Sequence, residues 1–292
     1  MDCDARTMEG MTVMVTGASS GLGKAATGLM AHLGARLVMV YRDAGRCLVA
    51  MEEIWSDNEE ADLEMMEADL SSQTQVRSLA RRFREGHDRL DVLVNNAATI
   101  PRRWEVTADG VELQLAVNHM APFLLTNLLE DMLLASSPSR VVVVASEMHR
   151  LVSLDPARIN ERGPAYVPWL RYSRTKLANL LFTRGLDRRL EGSGVTVNAI
   201  HPGMVATDLA REYGEAVQGL YDTLARTPED GAMTIVHAAS SPRLGGVSGM
   251  YLVDCREAPP SRDAMDGELA EGLWRASMDL AGGTLEGPGG GT

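Results

Sequence analysis

Lysine is almost missing from this chain. Only Lys24 and Lys176 are lysines among its 28 basic residues, and the other 26 are arginine. Cysteine is scarce as well: Cys3, Cys47 and Cys255 are odd in number and far apart. That excludes a disulfide framework and suits a reducing, cytoplasmic setting. No apolar run approaches the ~20 residues needed to span a bilayer. Residues 1–10 are polar and acidic, without the charged and apolar regions of a secretion signal, and no Asn-x-Ser/Thr sequon occurs. A net charge of -12, a pI near 5.0 and the absence of any basic stretch speak against nucleic acid and anionic membrane surfaces as partners. The six histidines have no metal-ligand spacing and Cys-x-x-Cys is absent, so no metal site is read.

What is present alternates. Short β-like runs at 11–16, 35–41, 63–68, 91–95, 140–145, 195–200 and 250–253 are separated by helical stretches at 22–33, 44–55, 73–85, 110–134, 170–190 and 228–239. Runs that are apolar throughout, such as Val141-Val142-Val143-Val144, belong to parallel strands covered on both faces. The alternation predicts an α/β, doubly wound parallel sheet of about seven strands with helices on both faces. A single domain over 1–281 is expected, followed by a glycine-rich, disordered tail at 282–292.

The sequence Thr16-Gly17-Ala18-Ser19-Ser20-Gly21-Leu22-Gly23 follows the first predicted strand and opens the first predicted helix. Glycines there permit a tight turn and close backbone approach, and the helix N-terminus offers N–H groups to a pyrophosphate. In that context the pattern predicts a dinucleotide-binding loop. Lys24, inside the same helix, reads as a solvated residue. The second strand should end beside the adenosine ribose, where an acid favours NAD and a cation accommodates a 2′-phosphate. The chain has Tyr41-Arg42-Asp43 there. Arg42 therefore favours NADP(H) over NAD(H), with Asp43 past the strand end.

The second lysine closes Tyr172-Ser173-Arg174-Thr175-Lys176, and positions four apart share a helix face. A phenol beside a compact ammonium suggests a tuned acid–base pair.

With these motifs the sequence resembles the short-chain dehydrogenase/reductase family from about residue 11 to 253. The likeness rests on residues 16–23, Asp69-Leu70, Asn95-Asn96-Ala97, Asn118, Ser146, Tyr172-x3-Lys176, Asn198 and Pro202-Gly203. It fits the single-domain branch, and Tyr172 through Asn179 with the following Leu-Leu-Phe-Thr are most similar to retinol-dehydrogenase and WW-domain-oxidoreductase-like members. The resemblance implies a Rossmann-type fold and an NADP(H)-dependent oxidoreductase interconverting a ketone or aldehyde and an alcohol. The small-molecule substrate would be apolar or aromatic, in the manner of a specialised metabolite. It implies Tyr172 as proton donor or acceptor, Ser146 on the reacting oxygen, and Lys176 on the phenol and the nicotinamide ribose. Asn118 would hold a water linking Lys176 to solvent. An ammonium ~4 Å from the phenol at an effective dielectric of ~20 is worth roughly 4 kcal/mol, about three in pKa. By the same resemblance Asp69 and Leu70 lie near the adenine, Asn95 and Ala97 on the adenosine side, and Pro202, Gly203 and Val205 over the nicotinamide, with Thr207 reaching its carboxamide or the phosphates. Asp69 reads alternatively as the cap of the helix beginning at Ser71 or Ser72. A homo-oligomer through the long helices is usual for the family.

The chain departs from the family pattern at Ala98, at Ala145 and in the long stretch 147–171, which contains Pro156, Pro164, Pro168 and Trp169. Such loops beyond strand ends are where substrate specificity sits. Residues 204–227 read as a lid, with Glu212, Tyr213, Leu220 and Tyr221 as pocket candidates. Ser146 with His149 invites a hydrolase reading, but the Gly-x-Ser-x-Gly elbow is missing. The rival of a different class is a dinucleotide-binding sensor or scaffold without turnover, which needs the phosphate loop but not the serine–tyrosine–lysine set.

Overall fold

The structure, a computed structural model, describes residues 7–163, 165–205 and 226–283. Eight strands form one sheet in the order β3-β2-β1-β4-β5-β6-β7-β8. They are β1 (Thr12–Thr16), β2 (Arg36–Tyr41), β3 (Asp62–Glu67), β4 (Val92–Asn95), β5 (Ser139–Val144), β6 (Val195–His201), β7 (Tyr251–Val253) and β8 (Arg256–Glu257). All neighbours pair in parallel except β7 and β8. This is a Rossmann-like doubly wound fold. The eighth strand, beyond the seven expected, returns from β7 through Asp254 and Cys255, both at positive φ.

Successive side chains of a strand point to opposite faces, and the buried residues sort accordingly. Val13, Val15, Val142 and Val144 face helices α1 (Gly21–His32), α2 (Ala44–Asp57) and α8 (Pro228–Ser240), whereas Met14, Val141 and Val143 face the other layer. That layer holds α3 (Gln73–Gly86), α4 (Leu113–Leu115), α5 (Ala121–Leu128), α6 (Glu130–Ala135), α7 (Pro168–Arg189) and α9 (Gly267–Leu280). Burial on both faces explains the unbroken valine run in β5.

The sequence pattern errs at 110–134, which is not one helix. It breaks into α4, a π-helical turn (Ala116–Met120), α5 and α6. Pro122 is the cause: it has no N–H for the Asn118 carbonyl four residues back, so α-helical register cannot continue there. The signal was present in the sequence as a proline within the predicted helix.

Helix α9 was not read from the sequence. Its Trp274 ring lies 5.0 Å from Phe123 and 6.0 Å from Phe182, with the Arg189 guanidinium 3.8 Å from its centroid. Gly185 on α7 leaves room for this indole; a Cβ there would sit 3.3 Å from it. The helix thereby covers an apolar face of α5 and α7.

Candidate functional site

The chain reverses its winding direction between β1 and β4, and such a switch point opens a crevice at the carboxyl ends of the strands. The glycine loop fills one side of it. Gly17 has φ +68 and a Cβ on it would lie 3.0 Å from the Ala97 backbone; a Cβ on Gly23 would lie 2.2 Å from the Gly17 carbonyl oxygen. Both positions therefore require glycine. Gly17 and Ala18 donate to the Val40 carbonyl, which docks the loop on β2. Ser20 is the N-cap of α1 but makes no side-chain capping bond. The first-turn N–H groups at Gly21, Leu22 and Gly23 consequently have no side-chain cap, and Ser19 and Ser20 are partly exposed beside them. This cradle fits a dinucleotide pyrophosphate by geometry and by partial charge.

Asn96, rather than Asn95, ties the loop to β4. Its Nδ2 donates to the Thr16 carbonyl at 2.8 Å, while the Asn96 and Ala97 N–H groups donate to Thr16 Oγ1 at 2.9 and 3.1 Å. Asn95 is buried and turned the other way, donating to Thr126 Oγ1 at 2.9 Å. Its side chain thus anchors α5 instead of reaching toward the adenosine side.

Arg42 is exposed directly beyond the last residue of β2. Asp43 caps α2, accepting from the Arg46 N–H at 3.1 Å and lying 3.8 Å from the Arg46 guanidinium. The acid is thus occupied by its own helix, and Arg46 adds a second cation that the sequence reading did not single out. At the end of β3, Asp69 accepts from the Ser71 N–H at 2.9 Å and Leu70 packs on the core; Ser72, not Asp69, caps α3. Lys24 pairs with Glu53 on the surface.

Beyond β6, Gly203 has φ +88, and Val205 bridges in parallel to Arg226. A Cβ on Gly231 of α8 would lie 2.4 Å from Val205 and 3.2 Å from Leu22, so the Pro202–Gly203 turn is held close to the start of α1. Thr207, Glu212, Tyr213, Leu220 and Tyr221 lie outside the described residues.

The second half of the crevice is built by β5, the π turn and α7. Ser146 follows β5 in extended backbone and caps the 3-10 turn Glu147–Leu151; its Oγ accepts from the Met148 N–H at 3.3 Å. Tyr172 and Lys176 share a face of α7, with Lys176 Nζ 5.4 Å from the Tyr172 ring centroid. Lys176 is 1% exposed and donates to the Val144 carbonyl at 2.7 Å, two residues before Ser146. Burial pushes its ammonium down to about 7. Trp169 meets Tyr172 edge-on at 6.2 Å.

Asn118 is fully buried in the π turn. Its Oδ1 accepts from the Thr99 N–H at 2.7 Å; its Nδ2 donates to the Thr99 carbonyl at 3.0 Å and to Thr175 Oγ1 at 3.1 Å. Thr175 in turn donates to the Tyr172 carbonyl at 2.8 Å. At the end of the stretch 147–171, Arg171 donates to the fully buried Glu112 at 2.7 Å and to the Ile159 carbonyl at 2.6 Å.

The structure therefore places Lys176 against the end of β5, two residues before Ser146, with Tyr172 on the same face of α7 and Asn118 tied to Thr99 beyond β4 and, through Thr175, to the Tyr172 carbonyl. The family model of short chain dehydrogenases matches residues 11–218. The chain belongs to the short-chain dehydrogenase/reductase family. It is 40% identical to human retinol dehydrogenase 14 over 96% of this chain and 88% of that protein. It is 39% identical to the human WW domain-containing oxidoreductase, over 94% of this chain and 69% of that protein. An uncharacterized protein from Mycobacterium paratuberculosis shares its fold with a TM-score of 0.77 at 33% identity, covering 96% of each chain. A short chain dehydrogenase from Burkholderia cenocepacia, solved in complex with NADP, aligns with a TM-score of 0.66 at 25% identity, over 85% of this chain and 97% of that one. As a short-chain dehydrogenase/reductase the chain is an oxidoreductase that uses a nicotinamide dinucleotide. Among the described residues no helix is long and apolar enough to cross a membrane.

Proposed function

We propose that this oxidoreductase interconverts a ketone or aldehyde and an alcohol with NADP(H), Tyr172 exchanging the proton with the reacting oxygen. The observation that carries the reading is the buried Lys176 ammonium beside the Tyr172 ring, at the same strand end as Ser146.

A free phenol titrates near ~10, too high for an effective base at neutral pH. A charge 5.4 Å from the ring centroid, with an effective dielectric of ~20, is worth about 3 kcal/mol in favour of the phenolate, which lowers the phenol's pKa. The coupling is reciprocal: as Tyr172 ionises, Lys176 is raised by the same amount and holds its proton. Ser146 supplies the second contact to the reacting oxygen. Because its Oγ already accepts from Met148, its own O–H is left to donate, the polarity that stabilises developing negative charge on a substrate oxygen. Asn118 has its amide committed to Thr99 and Thr175, and Pro122 denies its carbonyl the α-helical partner. A water relay to Lys176 would therefore run through that carbonyl.

When bound, the nicotinamide supplies or accepts the hydride. The residues that would hold the cofactor are those of the glycine cradle, with Arg42 and Arg46 near the 2′-phosphate, Asp69 and Leu70 near the adenine, Ala97 beside the loop, and Pro202, Gly203 and Val205 toward the nicotinamide. Position 41 is a tyrosine rather than an acid, and Asp43 is engaged by α2, which supports NADP(H). Retinol dehydrogenases among the relatives, and exposed Leu151 and Met204 on the turns after β5 and β6, support an apolar substrate. The free thiols Cys47 and Cys255 fit cytoplasmic residence. A second copy docking on the long helices at the Trp274 face would have to displace α9.

The test is Tyr172→Phe, assayed by NADPH absorbance over a panel of ketones, aldehydes and alcohols. Turnover should vanish with NADPH affinity nearly unchanged. Retained turnover sinks the role of Tyr172. Tight NADPH binding without turnover of any panel member by the wild type would favour a non-catalytic sensor or scaffold.

A further inference from the structure

His149 lies three residues beyond Ser146 and belongs to no part of the chemistry above. It is fully buried, and both ring nitrogens are committed. Nδ1 lies 2.7 Å from the Ser146 carbonyl oxygen, and Nε2 accepts from the Ser261 N–H at 3.0 Å. A carbonyl can only accept and a backbone N–H can only donate, so the two partners select the neutral imidazole with its proton on Nδ1. A hydrolase pair is excluded by the same geometry, because the ring reaches the Ser146 carbonyl rather than its hydroxyl.

The Ser146 carbonyl accepts twice from one residue, from the His149 N–H at 3.0 Å and from its Nδ1. Those bonds fix the peptide after Ser146, and with it the Met148 N–H that donates to Ser146 Oγ. The turn carrying His149 is pinned on its other sides as well. Glu147 accepts from the Tyr251 hydroxyl at 2.7 Å and pairs with Arg150 at 2.6 Å, and Arg150 donates to the Pro259 carbonyl. The Tyr251 ring meets the His149 ring edge-on at 5.4 Å. Residues 251–261, beyond the 11–218 stretch that the family model matches, thus clamp the serine turn.

We propose that His149, held as the neutral Nδ1–H tautomer between Ser146 and Ser261, is a positioning residue that sets the donor polarity of the Ser146 hydroxyl. The inference rests on the assignment of Ser146 to the reacting oxygen. Burial lowers the His149 pKa, which keeps the ring neutral; the bond to the Ser146 carbonyl and Glu147 act against it, and Arg150 acts with it.

Two variants divide the ring's bonds. His149→Asn places an amide N–H where Nδ1 stood and abandons Ser261. His149→Gln places its carbonyl where Nε2 stood and abandons Ser146. With the best carbonyl substrate of the panel, His149→Asn should keep kcat within about 3-fold, whereas His149→Gln should lose about 10-fold or more in kcat at unchanged NADPH affinity. In a Ser146→Ala background the Gln variant should cost no further kcat, which a merely structural role would not produce. Equal effects of Asn and Gln, or wild-type kcat in the Gln variant, overturn the inference. If Ser146→Ala itself keeps full turnover, the underlying assignment of Ser146 fails instead. Independently of turnover, the imidazole 15N spectrum of the wild-type protein at pH 7 should show His149 protonated at Nδ1 and bare at Nε2; the opposite tautomer overturns the inference even if the variants do not fold.

Discussion

Replacing Lys176 with methionine should move stability and activity in opposite directions. The lysine is fully buried and burial alone lowers its pKa from 10.5 to about 7. That gap corresponds to about 5 kcal/mol charged against holding the ammonium in the fold, an upper bound. Lysine is a base whose folded value is depressed, so the unfolded chain binds more protons between pH 7 and 10.5. Native stability therefore rises with pH across that window, and the penalty is fully present below about 7. Methionine has a similar length and no charge. Its substitution forfeits the bond to the Val144 carbonyl, worth about 1 kcal/mol, but that oxygen keeps the Asn179 amide at 3.3 Å. The Lys176→Met protein should then be more stable than wild type by up to about 4 kcal/mol at pH 6, roughly 6 °C in melting temperature for a chain of 292 residues. The advantage should fade by pH 10. Thermal or urea unfolding of the cofactor-free protein at pH 6, 8 and 10 reads this directly. Loss of the ammonium's roughly 3 kcal/mol on the phenol should meanwhile cut alcohol oxidation about 100-fold near neutral pH. A variant less stable than wild type at pH 6, or a difference equal at pH 6 and 10, would refute the reasoning.

Exchange of the cation beyond β2, Arg42→Asp, should shift preference from NADPH toward NADH, measured as the ratio of kcat/KM values; an unchanged ratio would show that the 2′-phosphate is not held there. Arg46, on the first turn of α2, leaves some affinity for NADPH in that variant, so the shift should deepen in Arg42→Asp with Arg46→Ala. Truncating the indole of α9, Trp274→Ala, removes contacts with Phe123 and Phe182 and the Arg189 stack. It should cost about 3–5 kcal/mol in urea unfolding, and a loss below 1 kcal/mol would mean that α9 is not integral to the fold.

Much of the architecture was legible because its causes are local. Apolar runs in β5, a glycine loop between strand and helix, and the four-residue spacing of Tyr172 and Lys176 all follow from strand and helix periods. The places where pattern reading failed have distant causes. The π turn is the exception, since its cause, Pro122, is local; the tie of Asn118 to Thr99, 19 residues away, is not. The choice between Asn95 and Asn96 depends on their partners, Thr126 for Asn95 at the end of β4 and Thr16 for Asn96 just beyond it. Ser72 rather than Asp69 caps α3, because helix boundaries are settled by which side chain reaches the first N–H groups.

The sequence by itself determined the doubly wound sheet, the glycine loop between β1 and α1 and the pairing of a phenol with one of two lysines. Only the tertiary structure decided how strongly that lysine is perturbed, since desolvation depends on everything packed around Val144 and α7. It alone joined His149 to Ser261, 112 residues away, and so brought the segment after β8 to bear on the Ser146 turn. Hydrogen-bond spacing within an element is written locally; burial and the partners of a buried ring are properties of the whole fold.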